Sequence, residues 1–314
     1  MPTDTTAPRL ISVIVPTRNR PALLREALES IRALESPAYR FEILVGDNGG
    51  LPETKEITES FGAIHIPVDR LGAGAGRNAG LEVATGEFIT FLDDDDKWLP
   101  GHLTPHIAHL DANPEVDAVI SQVISSTFEG ELVGVPWPRH HPGGADDLLR
   151  EMLSGYFPQI GTAVCRRRVR DYAGYFDEKL LGGQDLDWLL KVARGGRMEW
   201  LMVPSVMFRG RPLGTDDTVN LARVGYDRTV FFRHAVPEWR LWKTPLHFMK
   251  AYDGTLWHFY EYFTNVAQMR ADNGDRDGVF KAVSSAFKVF PVRAAMHMVL
   301  PKPLQRSVLK ALKS

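Results

Sequence analysis

Residues 87–98 read EFITFLDDDDKW, an apolar run that ends in four consecutive aspartates. The apolar part has the length and residue types of a short buried strand. Close like charges repel and raise each other's pKa. The aspartates stand mid-chain, between that strand and a helix signal after Pro100, so the fold must set something positive against them.

The same pattern recurs upstream. Leu10–Pro16 (LISVIVP) reads as a buried strand, and Pro21–Leu34 as a helix with Leu23, Leu24, Ala27, Leu28 and Ile31 at helical spacing. Phe41–Val45 is a second strand, followed by the turn cluster Gly46-Asp47-Asn48-Gly49-Gly50. A helix near Pro52–Phe61, a strand Ala63–Val68, a flexible glycine-rich loop Gly72–Gly76 and a helix ending near Gly86 lead back to the strand before the aspartates. Alternating strands and helices predict a mostly parallel sheet covered on both faces, with ligands at the carboxyl ends of its strands. Thr17–Asn19, Asp47–Asn48 and Asp93–Asp96 all fall at such ends. Downstream, strands are expected at Val116–Ile124 and Ile160–Cys165, a hairpin around Glu129-Gly130, a Pro/Gly/His loop over Pro136–Gly144 and a helix over Gln184–Ala193. From about Val219 the pattern turns helical and aromatic.

The 314 residues are 44% hydrophobic and 24% charged, the balance of a soluble globular protein, and a net charge of −2 makes no general case for nucleic acid. The single cysteine, Cys165, excludes an intrachain disulfide and a multi-cysteine metal site, and fits a reducing compartment. MPTDTTAPRL lacks the basic start and apolar core of a signal peptide, and no apolar run reaches 18 residues. The expected location is cytoplasmic. Residues 279–314 carry seven Lys/Arg and no Asp/Glu, leaving −9 on the remainder. This basic, apolar-studded tail suits an interfacial helix on the inner face of an anionic membrane, or an amphipathic helix packed on the acidic body.

Two aspartates spaced as Asp93 and Asp95 offer hard oxygen ligands to Mg²⁺ or Mn²⁺ and its diphosphate. The bland alternative is a solvated turn, with Asp96 favouring the start of the next helix. Gly74-Ala75-Gly76-Arg77-Asn78-Ala79 formally matches the dinucleotide fingerprint, with Asp93 19 residues beyond Gly74. That fingerprint needs a tight strand-to-helix turn and one acid, whereas Asp69-Arg70-Leu71 intervene here and four acids follow. The other reading of this segment places Arg77 near phosphate. Asp185, after Gly182-Gly183, is either a helix cap or a general base entering the crevice. His102, His106 and His109 are at helical spacing and read as an exposed helix face rather than a metal face. Arg166–Arg168 read as a solvated charge run, and Cys165 as a packed strand residue. Residues 226–263 hold 12 of the 31 aromatics, read mainly as core, with Trp239, Trp242 or Trp257 able to stack on sugars or meet lipid headgroups.

Four stretches, ISVIVPTRNR, FEILVGDNGG, GRNAGLEVATGEFITFLDDDDKWLPGHL and GYFDEKLLGGQDLDWLLKVARGG, resemble the inverting family 2 glycosyltransferases of GT-A fold in order and spacing. The resemblance spans roughly residues 10–215 and implies a catalytic domain at 1–215 with a helical appendage at 216–314. It implies that Pro16, Thr17 and Arg18 border the nucleotide and that Asp47 and Asn48 face its base and ribose. Arg77 would approach the diphosphate, Asp93 and Asp95 would hold a divalent cation, and Asp94 would lie near ribose. Asp185 matches the catalytic base of a motif that usually reads Glu-Asp; Gln184 departs from it. Arg211, in MFRGRPLGT, stands where the family often has histidine, and would pair with phosphate. The implied reaction moves a sugar from a nucleoside diphosphate sugar to a glycan or lipid-linked hydroxyl acceptor. Other classes are a sugar nucleotidyltransferase, whose glycine-rich first loop PTRNRPA lacks, and a non-catalytic glycan- or lipid-binding scaffold.

Overall fold

The computed structural model describes residues 8–142, 145–239, 244–300 and 302–312. The chain forms two compact units, one of Met1–Met152 with Phe157–Gly210 and one of Leu153–Tyr156 with Arg211–Ser314.

In the first unit β1 (Arg9–Thr17), β2 (Tyr39–Asp47), β3 (Ile64–Pro67) and β4 (Phe88–Phe91) alternate with α1 (Pro21–Arg32), α2 (Pro52–Ser60) and α3 (Ala73–Val83). β1 runs parallel to β2 on one side and β4 on the other, and β3 extends the sheet beyond β2. The strand order therefore reverses at β1, and a crevice opens at the carboxyl ends of β1 and β4. Residues 11–17 of β1 are all buried, as a sheet covered on both faces requires. α1 buries Leu24, Ala27, Leu28 and Ile31 as one stripe and starts at Pro21, where proline lacks only an N–H that the helix would leave unused.

The chain continues through β5 (Lys97–Trp98), α4 (Leu103–Ala112), β6 (Ala118–Ser126), β7 (Leu132–Trp137), α5 (Ala145–Leu153), β8 (Val164–Arg166), α6 (Val169–Ala173), α7 (Gln184–Gly195) and β9 (Met198–Arg209). The strands lie in the order β3-β2-β1-β4-β8-β6-β9-β5, with β7 on β6. β8 is antiparallel to both neighbours, β4 and β6. The sequence pattern gave no sign of β9. MEWLMVPSVMFR contains Pro204 and lacks a clean alternation, and its pairing with β6 shifts register around Gln122.

The glycine stretch at 72–76, expected to be a flexible loop, instead forms a helix start, since α3 begins at Ala73. Glycine costs about 1 kcal/mol against alanine in a helix, so packing must decide here. A Cβ on Gly46 would sit 2.2 Å from the Gly76 carbonyl oxygen, and one on Gly76 would sit 3.0 Å from that of Gly46. Bare backbone at both positions lets α3 rest directly on β2.

The histidines also depart from expectation. His102 and His106 are fully buried, with Trp98 and His102 ring centroids 4.5 Å apart and those of His102 and His106 4.8 Å apart. His109 is partly buried and faces Glu199 at 2.6 Å. Burial lowers the pKa of His106 to about 4 and holds that of His102 well below its ordinary value. A histidine whose folded pKa is depressed favours folding above its unfolded pKa, about 6.5, and loses that contribution as pH falls toward the folded value. Stability should therefore drop between about pH 6.5 and 4 by up to ~1.4 kcal/mol per pH unit for each such histidine. His106→Phe is expected to flatten this slope by about one proton. Denaturant midpoints measured across that range check it, and an unchanged slope would refute it.

Arg166–Arg168 do not form a free charge run. The Arg166 Nε donates to the Val116 carbonyl at 2.8 Å, and Arg168 pairs with Asp117 at 2.5 Å. Cys165 is buried in β8, as expected.

The second unit contains α8 (Asp217–Trp239), α9 (Pro245–Asp272), α10 (Arg276–Val289), α11 (Pro291–Val299) and α12 (Pro303–Ala311). Its core includes Phe259, Tyr260 and Phe263 of α9, Val279, Ala282 and Ala286 of α10, and Leu304 and Val308 of α12. The basic tail is thus three helices with buried faces rather than one interfacial helix. Among the described residues no helix is long and apolar enough to cross a membrane. Trp242 and tail residues 301, 313 and 314 lie outside the described residues.

Candidate active site

The carboxyl ends of β1, β2 and β4 deliver the polar residues that the sequence placed there. Thr17, at the end of β1, is buried and donates its hydroxyl to Asp94 Oδ2 at 2.6 Å. Pro16 beside it is buried and Arg18 is exposed. Asp47, at the end of β2, is buried; Oδ1 accepts the Gly49 N–H at 2.8 Å and Oδ2 lies 3.0 Å from His65 Nε2. Asn48 donates its side-chain amide to the Arg70 carbonyl. Asp47, Asn48, Gly49, Gly50, Pro67, Val68 and Asp69 line an open depression of about 570 Å³.

The counter-charges for the four aspartates are arginines. Arg20, just before α1, grips Asp94 with two nitrogens, Nε–Oδ2 being 3.1 Å, and reaches Asp95 Oδ2 through Nη1 at 2.6 Å. Arg77, in α3, is 1% exposed and donates from Nη2 to Asp93 Oδ1 at 2.5 Å. Its guanidinium lies 5.4 Å from the Phe176 ring centre, while Nε and Nη1 are buried without a hydrogen-bond partner. Arg209, at the end of β9, donates its backbone N–H to Asp96 Oδ1 and its Nε to the Asp95 carbonyl, at 2.9 and 2.8 Å. Its Nη2 meets Glu26 at 2.8 Å, and Glu26 also meets Lys97 at 2.6 Å.

These cations do not neutralise the cluster. Burial raises the pKa of Asp93 despite Arg77, and the charges of Asp95 and Asp185 raise it further. Burial pushes Asp94 up to about 7 against the pull of Arg20 and Thr17. Asp96 is raised well above the usual carboxylate range by burial and by Asp93 and Asp95. Asp93, Asp95 and Asp96 each present an oxygen, all within 4.8 Å of one another. Hard oxygen donors at this spacing, with surplus negative charge, suit a divalent cation. Asp96 joins the expected pair because its carboxylate meets Arg209 instead of capping α4. Asp94, expected near ribose, is fully buried and braces Thr17 and Arg20.

Asp185 is the second residue of α7, half-buried, and accepts the Leu186 N–H at 2.9 Å through Oδ1. The helix starts after Gly183, whose φ of 68° suits glycine. Asn78 holds the preceding loop to α3: its amide donates to the Phe176 carbonyl at 3.0 Å and accepts the Phe176 N–H at 2.8 Å. Gln184 is buried and its Oε1 has no hydrogen-bond partner. Asp185 thereby comes close enough to Asp93 for its charge to act there. Arg211 opens the second unit and pairs with Asp216 at 3.5 Å. The sequence reading missed Arg20, Arg209 and His65 as parts of this constellation, and placed Asp96 in the crevice without assigning it to the metal cluster. Arg20 had a local signal, an arginine three residues past a strand end, but Arg209 required knowledge of β9.

The profile of the family described as Glycosyl transferase family 2 matches residues 12–171. The chain is 29% identical over 218 residues to the "Uncharacterized glycosyltransferase YwdF" of Bacillus subtilis (strain 168), covering 67% of this chain and 78% of that protein. Two further curated relatives are matched over 64% and 32% of their own length. Among solved structures, S. aureus TarS 1-349 in complex with UDP-GlcNAc superposes with a TM-score of 0.59 at 20% identity, covering 96% of this chain and 88% of that one. The mannosyltransferase PcManGT from Pyrobaculum calidifontis, in complex with GDP-Man and Mn²⁺, gives 0.57 at 18% identity, covering 98% and 87%. These likenesses establish the GT-A fold. The match over half the chain, on the segment that builds the crevice, places this protein in glycosyl transferase family 2.

Proposed function

We propose that the chain transfers a sugar, with inversion, from a nucleoside diphosphate sugar to a hydroxyl on a glycan or lipid-linked acceptor. The observation that carries this reading is one cluster joining three carboxylates, a buried arginine with two unpartnered N–H-bearing nitrogens, and Asp185 within electrostatic reach. The depression at Asp47 and Asn48 takes the nucleoside, beside the end of β1, where Pro16 and Thr17 pair with Gly46 and Asp47 and Arg18 follows. Arg77 turns its unpartnered nitrogens to the diphosphate, a charge-assisted bond stronger than a neutral one. Asp93 and Asp95, with Asp96 beside them, hold Mn²⁺ or Mg²⁺, which supplies charge neutralisation for the leaving diphosphate. Asp185 takes the proton from the acceptor hydroxyl as that oxygen attacks the anomeric carbon from the face opposite the diphosphate. Gln184, neutral where the family usually has glutamate, leaves Asp185 without an adjacent acid on its N-terminal side. The acceptor reading places the protein in bacterial surface-glycan assembly, peripheral on the inner face of an anionic membrane.

Release of nucleoside diphosphate from a panel of UDP- and GDP-sugars, with Mn²⁺ or with chelator, tests the assignment. Turnover with at least one donor, abolished by chelation, is expected. No turnover with any donor, joined to no thermal stabilisation by UDP or GDP, would leave a non-catalytic scaffold instead.

A further inference from the structure

We propose that the second unit docks on an anionic phospholipid bilayer through a face made by α11 and the first half of α9. The proposal rests on the peripheral-membrane reading above and moves the contact from the basic tail as a whole to one built surface.

α11 buries Ala294 in its bundle yet exposes Val292, Met296 and Val299 at 74%, 57% and 80%, with Leu300 exposed just beyond. The spacing of four and three residues keeps Val292, Met296 and Val299 on one stripe of α11. α9 exposes Leu246 and Met249, and half-exposes Trp257 on the same face as Asp253. The two stripes meet at Arg293, whose Nη2 lies 2.6 and 2.7 Å from the two Asp253 carboxylate oxygens. The same guanidinium lies 4.8 Å from the Trp257 ring centre and 5.3 Å from that of Phe290. Between the stripes is a mainly apolar cavity of about 410 Å³, lined by Phe290, Val292, Met296 and His297 among others. Large apolar side chains in water, flanked by a tryptophan and an arginine, have the make-up of an interfacial anchor rather than a solvated helix face.

Charge selects the occupant. Exposed Lys288 and Lys302 bracket α11, and no acidic residue occurs from 279 to 314. The one carboxylate in the cavity, Asp253, is neutralised by Arg293. Such a face attracts anionic headgroups while its apolar stripe enters the boundary of the acyl chains.

Flotation of the full chain with vesicles of phosphatidylglycerol and phosphatidylcholine tests this, with pure phosphatidylcholine as the reference. Binding to the anionic vesicles is expected, weakened at least tenfold by M296E/V299E and made less salt-dependent by K288S/K302S. Unchanged helicity and unchanged thermal stabilisation by nucleoside diphosphate show that both variants are folded. If M296E/V299E binds like the parent, the surface is wrong although the membrane reading stands. If the parent binds no anionic vesicle, both fail. If sedimentation shows a dimer that M296E/V299E dissociates, without vesicle binding, the face belongs to a second copy and the proposal is overturned.

Discussion

Asp185→Asn is expected to lower transfer by about 10²–10⁴-fold, the usual contribution of a positioned general base. Donor affinity and thermal stability should barely change. The asparagine is nearly isosteric and its carbonyl can still accept the Leu186 N–H that Asp185 accepts at 2.9 Å. What disappears is basicity. The substitution also removes a charge that raises the pKa of Asp93, so Asp93 ionises more readily. Turnover measured beside donor affinity by calorimetry separates these effects. A variant that keeps more than about a tenth of parental transfer would remove Asp185 from the role of base, since that loss is far below the range for this kind of catalysis.

Arg77→Ala should be nearly as damaging, but through two routes. An electrostatic donor aimed at developing charge is worth about 10²–10³ in rate, and Arg77 holds two unpartnered nitrogens in reserve for such a charge. The same guanidinium neutralises Asp93 at 2.5 Å. Breaking a fully buried ion pair costs about 3–5 kcal/mol. Asp93 keeps a third of its side chain in contact with solvent, so about 1–3 kcal/mol is the fitting range once screening is allowed for. Adding Asp93→Asn to Arg77→Ala removes the stranded carboxylate and should recover much of the lost stability, without restoring transfer. A double variant as unstable as the single one would show that Arg77 is held mainly by packing against Phe176. Full activity in Arg77→Ala would remove it from the phosphate site.

How far the sequence reaches can be judged element by element. LISVIVP, FEILV and FITFL are short apolar runs ended by polar turns, and that local pattern fixes β1, β2 and β4 together with the carboxylates at their ends. The parallel arrangement follows, because strand–helix–strand connections leave little choice. The limits appear wherever a distant partner overrides a local preference. Gly76 is a poor helix residue, yet it lies in α3, where it packs against the backbone of Gly46 in β2 too closely for side chains at both positions. His102 and His106 look like surface residues by type, yet Trp98 and the first-unit core enclose them. Only the tertiary structure shows that the basic tail folds as α10, α11 and α12, with faces of α10 and α12 in the bundle core.

Periodicity within a few residues therefore determined the parallel strands β1 to β4, the crevice at their carboxyl ends and the four aspartates at the rim. Tertiary structure alone decided their counter-charges, because Arg20 and Arg209 lie 74 residues from Asp94 and 113 from Asp96 in the chain. Spacing along a strand or helix is a short-range property that sequence records directly. The pairing of buried charges is a long-range one, set by which elements the whole core brings together.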